Sequence, residues 1–127
     1  MIDFQNKKYI KLHEASDNEM HKCANVVGPI LVDTEEIEYI FTSIRDFVVF
    51  TNKRIISVNV QGITGTKKDL TTIPYNRIQT FSVETAGTLD LESELELFIS
   101  SVGSIYFEFT AGTDVYDIAQ LISSAIL

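Results

Sequence analysis

The side chains best suited to bind a ligand are five basic residues in an otherwise acidic chain. The sequence has 18 acidic and 10 basic residues among 127, for a net charge of −8. Five of the six lysines and arginines that follow Val32 nevertheless fall within residues 43–70. They are Arg45, Lys53, Arg54, Lys67 and Lys68. Cations gathered at one place could bind an anionic group such as a lipid headgroup.

We favour a simpler interpretation, in which these cations are solvated at hairpin turns and on edge strands. Arg45, residues 52–54 and residues 62–68 are predicted to lie on separate loops. Asp46 follows Arg45 directly and would cancel much of its field, and the strand after it carries no basic residue. Charges at edges and turns also discourage aggregation. The two interpretations differ in whether the five cations converge.

A second set of charged side chains occupies every other position of one predicted strand. Glu92, Glu94 and Glu96 would point to the same face, about 7 Å apart. A calcium site requires several oxygens at about 2.4 Å from one ion, which a straight strand cannot supply alone. We therefore interpret these carboxylates as a solvated face, which could also contact Lys67 or Lys68 of a neighbouring subunit.

The residue types used in metal sites and covalent catalysis do not form a recognisable set. His13 and His21 are eight positions apart, whereas a zinc site needs three or four ligands. Cys23 falls on the apolar side of a predicted helix and is expected in the core. We predict no metal, no cofactor and no enzymatic activity.

Composition limits the partners and the compartment. A net charge of −8 repels phosphate backbones, so we expect no nucleic-acid partner, and it disfavours membrane association. The single cysteine cannot form an internal disulfide, which suits a reducing compartment. The first twenty residues contain no apolar segment typical of a signal peptide. We predict a cytoplasmic protein.

Helices are predicted near both ends of the chain. Ser16 and Glu19 have the spacing of a capping box, apolar residues recur to Val27, and Gly28-Pro29 should end this helix. Asp114 is a favourable N-cap for a second helix. That helix has a predicted apolar stripe formed by Val115, Ile118, Ile122, Ala125 and Ile126.

Between the helices the apolar residues recur with a period of two, which predicts about seven short antiparallel strands. The segment "FVVF" is apolar on both faces, as in a central strand. Asn52-Lys53 predicts a two-residue hairpin loop. In "LESELELFI" the inward residues are predicted to be Leu91, Leu95, Leu97 and Ile99. The terminal helix is predicted to cover the open end of a curled sheet.

Tyr75 follows Pro74, which cannot donate to a strand ladder and therefore marks an edge or a break. Its ring could be exposed at an interface, where tyrosine is enriched, or buried at a corner. The sequence leaves both placements open.

The segments "IRDFVVFTNKRII", "QGITGTKK", "IPYNRI" and "FSVETAGTLDLESELEL" resemble the bacterial pleckstrin-homology domain family. The resemblance implies a mainly β fold, a partly open barrel of about seven strands closed by a C-terminal α-helix, over residues 33–127. Residues 1–32 would form a short helical lead-in. The resemblance also implies a cytoplasmic bacterial domain without known catalysis that forms homo-oligomeric rings.

These observations predict a non-enzymatic interaction module that associates with itself. The alternative is a peripheral membrane or anionic-ligand domain that uses the five cations. Tyr75, Glu92, Glu94 and Glu96 are the interface candidates of the first hypothesis.

Overall fold

The computed structural model describes Met1 and residues 8–127, so residues 2–7 of the predicted lead-in lie outside the described residues. The strands are β1 (Lys8–Glu14), β2 (Ile37–Thr42), β3 (Phe47–Thr51), β4 (Arg54–Gln61), β5 (Lys67–Pro74), β6 (Thr80–Glu84), β7 (Ser93–Ile99) and β8 (Gly103–Phe109). The helices are α1 (Asp17–Val27) and α2 (Val115–Ile126), and short 3-10 turns span Gly28–Ile30 and Tyr75–Arg77.

The chain divides into two compact units. The first unit contains Met1 and Glu14–Pro74, with α1 and strands β2 to β5. The second contains residues 8–13 and Tyr75–Leu127, with most of β1, strands β6 to β8 and α2.

The described strands number eight, not seven, because the lead-in segment contains β1 in addition to α1. Lys11 has a positive φ of 54°, and the pairing register shifts between Tyr9 and Leu12. This irregularity places Tyr9 and Leu12 in the core while Ile10 is half exposed. A strand whose buried residues are three apart does not show the period of two by which strands are predicted.

The first unit is an antiparallel meander in the order β5-β4-β3-β2. Every residue of β3 is buried, which confirms the prediction that "FVVF" is covered on both faces. Helix α1 covers one face, where Cys23 and Val27 pack with Val49 and Ile56. The helix therefore packs on the strands of its own unit.

In the second unit the order is β1-β8-β7-β6, and β1 runs parallel to β8. Leu95 and Leu97 of β7 are fully buried, as alternation predicted. The prediction for Leu91 is wrong, because β7 begins at Ser93 and Leu91 lies in the preceding loop, more than half exposed. Helix α2 packs against β6 and β7.

Both helix starts agree with the sequence. Ser16 and Glu19 form the complete capping box of α1, and the Asp114 side chain accepts a hydrogen bond from the Tyr116 amide at 3.0 Å. The buried stripe of α2 contains Val115, Ile118 and Ile122. It ends one turn earlier than predicted, since Ala125 is exposed.

The two-residue loop between β3 and β4 is also confirmed, but its geometry differs from the expected one. Asn52 is not among the residues with positive φ. Thr51 stabilises the loop instead, because its hydroxyl oxygen accepts hydrogen bonds from the amides of Lys53 and Arg54, both at 3.0 Å.

Candidate functional site

Two turns at one end of the first unit are tied together by side chains from residues 45 and 46. Arg45, in the β2–β3 turn, donates a hydrogen bond to the carbonyl oxygen of Gly62 in the β4–β5 turn. Asp46 accepts from the Val60 amide at 2.9 Å and from the Asn59 side chain at 3.3 Å. This end of the first unit therefore presents two turns in a fixed arrangement.

A cavity of about 300 Å³ opens between α1, the β2–β3 turn and the start of β5, and we refer to it as the basic cleft. It is lined by Glu19, Lys22, Cys23, Val26, Thr42, Ser43, Ile44, Arg45, Asp46, Phe47 and Lys68. Three of these side chains are basic and two are acidic. The cleft thus has a net positive lining within a chain of net charge −8.

In the described part of the chain, Lys22, Arg45 and Lys68 form no salt bridge. Lys68 donates to the carbonyl oxygen of Gly65 at 3.1 Å, and Arg45 to that of Gly62. Carbonyl acceptors leave the positive charge uncompensated, so these groups remain able to bind an anion.

The two carboxylates of the cleft are already engaged in hydrogen bonds within the protein. Glu19 accepts from the Ser16 amide and from the Thr42 hydroxyl group, each at 3.0 Å. Asp46 accepts hydrogen bonds from the Val60 amide and the Asn59 side chain at the end of β4. Both carboxylates have structural partners, which reduces their competition with an external anion.

The structure brings together only part of the predicted basic set. Lys67 is exposed at the start of β5, at the same end as the cleft. Lys53 and Arg54 lie at the opposite end of the meander, at the β3–β4 hairpin.

Arg54 is committed to a structural ion pair and is not available as a ligand-binding group. Its guanidinium donates to Glu35 at 2.8 and 2.9 Å and to the Ile30 carbonyl oxygen at 2.6 Å. Burial alone would raise the pKa of Glu35, but hydrogen bonds from Arg54, Thr51 and Val32 outweigh it and lower that pKa to about 2. The pair fixes the segment after α1 to the β3–β4 hairpin.

Lys22 is the cleft residue that sequence reasoning missed. It lies on α1, away from the stretch where the other cations cluster. The helix and the strands of the first unit were predicted, but the sequence did not indicate which strands the helix packs on. Only that packing places Lys22 beside Arg45 and Lys68.

Glu94 and Glu96 lie on an accessible face of β7, as predicted, and further acids join them. The prediction that Glu92 belongs to the same strand is wrong, because β7 begins at Ser93 and Glu92 lies in the preceding loop. Glu94 lies directly opposite Glu84 on one side and Glu108 on the other. We call Glu84, Glu94, Glu96 and Glu108 the acidic face. The charge of nearby Glu108 raises the pKa of Glu92, with smaller contributions from its burial and from a hydrogen bond to Glu108.

Strand β6 is the terminal strand of the second unit. It pairs with β7, and no described strand pairs with its other side, which we call the β6 edge. Thr80, Ser82 and Glu84 are exposed along it. A small cavity of about 170 Å³ beside it is lined by Thr80, Phe81, Ser82, Glu96 and Phe98.

Two other predicted positions are buried. Tyr75 is only 1% exposed, so the buried placement is the one observed, and its ring is not available as an interface residue. Cys23 is buried as predicted, and desolvation, followed by the charge of Glu19, raises its thiol pKa to about 11. The thiol is therefore protonated at neutral pH and a poor nucleophile.

Neither a metal site nor a membrane span is evident in the described residues. Among them, no three His, Cys, Asp or Glu side chains are grouped so that they could hold an ion. Likewise, no helix within residues 8–127 has the length and apolar character needed to cross a bilayer.

Within the described residues, eight strands, an N-terminal helix and a C-terminal helix define a domain of the pleckstrin-homology (PH) class. A structure from Exiguobacterium sibiricum that contains a PH domain supports this fold, with a TM-score of 0.66 at 24% identity. That match covers 91% of this chain and 62% of the other. The sequence model of the bacterial PH domain family matches residues 8–126, and the chain belongs to that family.

Solved structures and curated sequences agree with this assignment. The chain is 39% identical to a DUF1696 family protein with a PH domain from Shewanella loihica PV-4, with a TM-score of 0.76 over 93% of this chain and 99% of the other. A PH domain from Shewanella amazonensis SB2B is 42% identical, with a TM-score of 0.63 over 89% and 92%. The uncharacterized protein YjqA of Bacillus subtilis is 42% identical over 100 residues, 77% of this chain and 80% of YjqA.

Proposed function

We propose that this PH-like domain is a non-catalytic cytoplasmic interaction module that associates with copies of itself through the β6 edge. The observation that carries the proposal is the unpaired outer side of β6. Unpaired backbone groups at a sheet edge can pair with a strand of another chain. When such a contact repeats by a rotation that closes, the product is a ring.

The side chains of β6 support this role. Proteins commonly protect an edge strand with lysine, proline or a bulge. Residues 80–84 contain neither lysine nor proline, and their pairing with β7 is continuous from Thr80 to Glu84. The edge therefore lacks lysine, proline and a bulge, and its one charged residue, Glu84, lies at the end of the strand.

An aromatic side chain beside the edge adds apolar contact area. Phe98 lies opposite Thr80 and is 45% exposed. Aromatic residues are enriched at protein interfaces because a large ring contributes much buried area at low entropic cost. Phe98 and the adjoining cavity could receive side chains from the second copy.

Light scattering during size-exclusion chromatography tests the proposal. The unaltered protein is expected to be oligomeric at tens of micromolar, and Ser82→Lys should shift it towards monomer by placing a charge on the edge strand. Ser124→Lys, at an exposed position of α2, introduces the same residue away from the edge and should leave the mass unchanged. A monomeric unaltered protein would contradict the proposal, as would a Ser82→Lys variant of unchanged mass.

A second candidate function is binding of an anionic ligand at the basic cleft. The specific observation in its favour is that Lys22, Arg45 and Lys68 converge there without a salt bridge to a described carboxylate. Calorimetric titration with pyrophosphate should give salt-sensitive binding that is lost in Lys22→Gln/Lys68→Gln. Lys53→Gln, at the opposite end of the meander, is the control and should bind as the unaltered protein does. Absence of binding at low salt would exclude this function.

A further inference from the structure

An exposed leucine lies between two acids in the loop that joins β6 to β7. Leu91 was predicted to face inward, but it is 57% exposed, and Asp90 and Glu92 beside it are exposed as well. We call residues 90–92 the acidic loop. Single exposed leucines are common on protein surfaces, so Leu91 alone indicates no partner. Its two neighbours give the loop a definite chemistry, that of an apolar side chain flanked by negative charge.

Hydrogen bonds within the loop hold it in a defined shape. The Gly87 amide donates to the carbonyl oxygen of Asp90 at 2.6 Å, and the Glu92 amide donates to the Asp90 side chain at 3.1 Å. Strand β7 begins at the next residue, Ser93, which pairs with β8. Because the acidic loop is fixed at both ends, little conformational entropy would be lost when it is bound.

The acidic loop lies among like charges. The charge of Glu108 on β8 is the largest of the effects that raise the pKa of Glu92, and the charge of Asp90 acts in the same direction. Lys11 opposes them, with a smaller effect. An opposite charge nearby favours the ionised form of a carboxyl group, so cations of another molecule would relieve this repulsion. The loop therefore fits a positively charged surface.

The basic cleft of the first unit has the complementary charge. Lys22, Arg45 and Lys68 are exposed and line it, and Val26 and Ile44 add apolar surface to the same lining. Its volume of about 300 Å³ is at the lower end of the range of ligand pockets, which suits a few side chains of a loop and not a whole helix. One chain thus carries both an acidic loop with an apolar centre and a basic cleft with an apolar lining.

We propose that the acidic loop of one copy docks in the basic cleft of a second copy, with Leu91 against Ile44 and the two carboxylates beside the cations of the cleft. The contact joins two different surfaces, so each copy can engage one partner through its loop and another through its cleft. The inference rests on the self-association proposed above, but it adds a second contact that is independent of the β6 edge. Complementary charges give this contact its selectivity.

Charge reversal on separate chains tests the inference. All chains in this experiment carry Ser82→Lys, which places a charge on the β6 edge. One variant adds Lys68→Glu in the cleft and the other adds Glu92→Lys in the loop, so each variant alone brings like charges together. Sedimentation velocity should show that an equimolar mixture associates at least about tenfold more tightly than either variant alone, because the reversed loop then meets the reversed cleft.

Matched controls and an apolar variant complete the test. Lys53→Glu and Glu38→Lys reverse exposed charges of the first unit outside the cleft, and mixing these two variants should bring no gain. Leu91→Ser, in the Ser82→Lys chain, should weaken self-association about tenfold because it removes the apolar part of the contact. All these side chains are exposed, so the variants should fold, which circular dichroism would verify.

The outcomes separate this contact from the β6 edge. If the mixture associates no more tightly than its components while Ser82→Lys lowers the mass of the otherwise unaltered protein, copies meet at the edge alone and the inference is overturned. If the mixture associates but Ser82→Lys by itself leaves the mass unchanged, the loop and the cleft form the contact and the edge does not. If Lys68→Glu abolishes pyrophosphate binding without weakening association, the cleft binds small anions only, which also overturns the inference.

Discussion

The two units differ in how completely the faces of their strands are buried. In the first unit, β3 is buried on both sides because α1 covers one face. In the second unit, buried and accessible residues alternate along β7 from Ser93 to Phe98, and the accessible ones there are Glu94, Glu96 and Phe98. In the first unit the candidate site, the basic cleft, lies at the turns. In the second unit the candidate surfaces are the β6 edge and the acidic face.

This difference shows how far a helix determines where a small domain can interact. A face covered by a helix is lost to partners, so only the turns and the rim of the helix remain. The basic cleft lies at that position. In the second unit α2 packs against β6 and β7, yet the acidic face and the β6 edge stay accessible.

The largest expected effect comes from the covered face of the first unit. Ile56 is fully buried in the cluster beneath α1. Ile56→Ala should lower the free energy of unfolding by about 2–5 kcal/mol, because it removes buried apolar area and leaves a cavity. Leu89→Ala, at a fully exposed position of the second unit, should change it by no more than about 0.5 kcal/mol. Urea unfolding followed by circular dichroism would measure both, and similar losses would refute the contrast.

The ion pair of the first unit should contribute the next largest effect. The carboxyl group of Glu35 is fully buried and its pKa is lowered to about 2. Glu35→Gln should destabilise the domain by about 3 kcal/mol near pH 7, because Arg54 loses its charged partner. Glu36→Gln, which leaves that ion pair intact, is the control. Equal unfolding midpoints for the two variants would argue against the importance of the pair.

Acid should act on the two units in opposite directions. The folded pKa of Glu35 is depressed, so its contribution to stability is present above its ordinary pKa of 4.5 and is lost as the pH falls towards about 2. The folded pKa of Glu92 is raised, so its protonation favours the folded state as the pH falls through that value. Carboxyl NMR titration should find Glu35 below and Glu92 above the ordinary range. A reversed order would contradict the described contacts.

The smallest expected effect is on the acidic face. Glu94 faces like charges on both neighbouring strands, at Glu84 and Glu108. Glu94→Gln should raise the free energy of unfolding by about 0.5 kcal/mol at low salt, since like charges directly opposite each other are destabilising. The gain should diminish at high salt. Glu38→Gln on β2 is the matched control, and an equal gain there would attribute the effect to net charge alone.

The sequence predicted most of the fold because its local signals are strong. The period of two identified seven strands, and the capping residues Ser16 and Asp114 marked both helix starts. Strand β1 was not predicted, because its bulge at Lys11 removes the alternation of apolar residues on which strand prediction depends. Its parallel pairing with β8 joins residues about a hundred positions apart, and no local pattern encodes such a contact.

The candidate site was less predictable because it depends on packing between elements. The sequence predicted that Arg45, residues 52–54 and residues 62–68 lie on separate loops, but not that Arg45 and Lys68 meet Lys22 in one cleft. The role of Arg54 depends on Glu35, 19 residues earlier, which carried no recognisable motif.

The bulge of β1 has a consequence for the tolerance of this strand to changes in length. Lys11 is an additional residue between Tyr9 and Leu12, the two side chains that reach the core, and it occupies a left-handed conformation that disfavours a bulky residue. Relatives that lack one residue at this point could keep both core contacts with a regular strand. The start of the domain can therefore lose this one residue without reversing which side chains face inward.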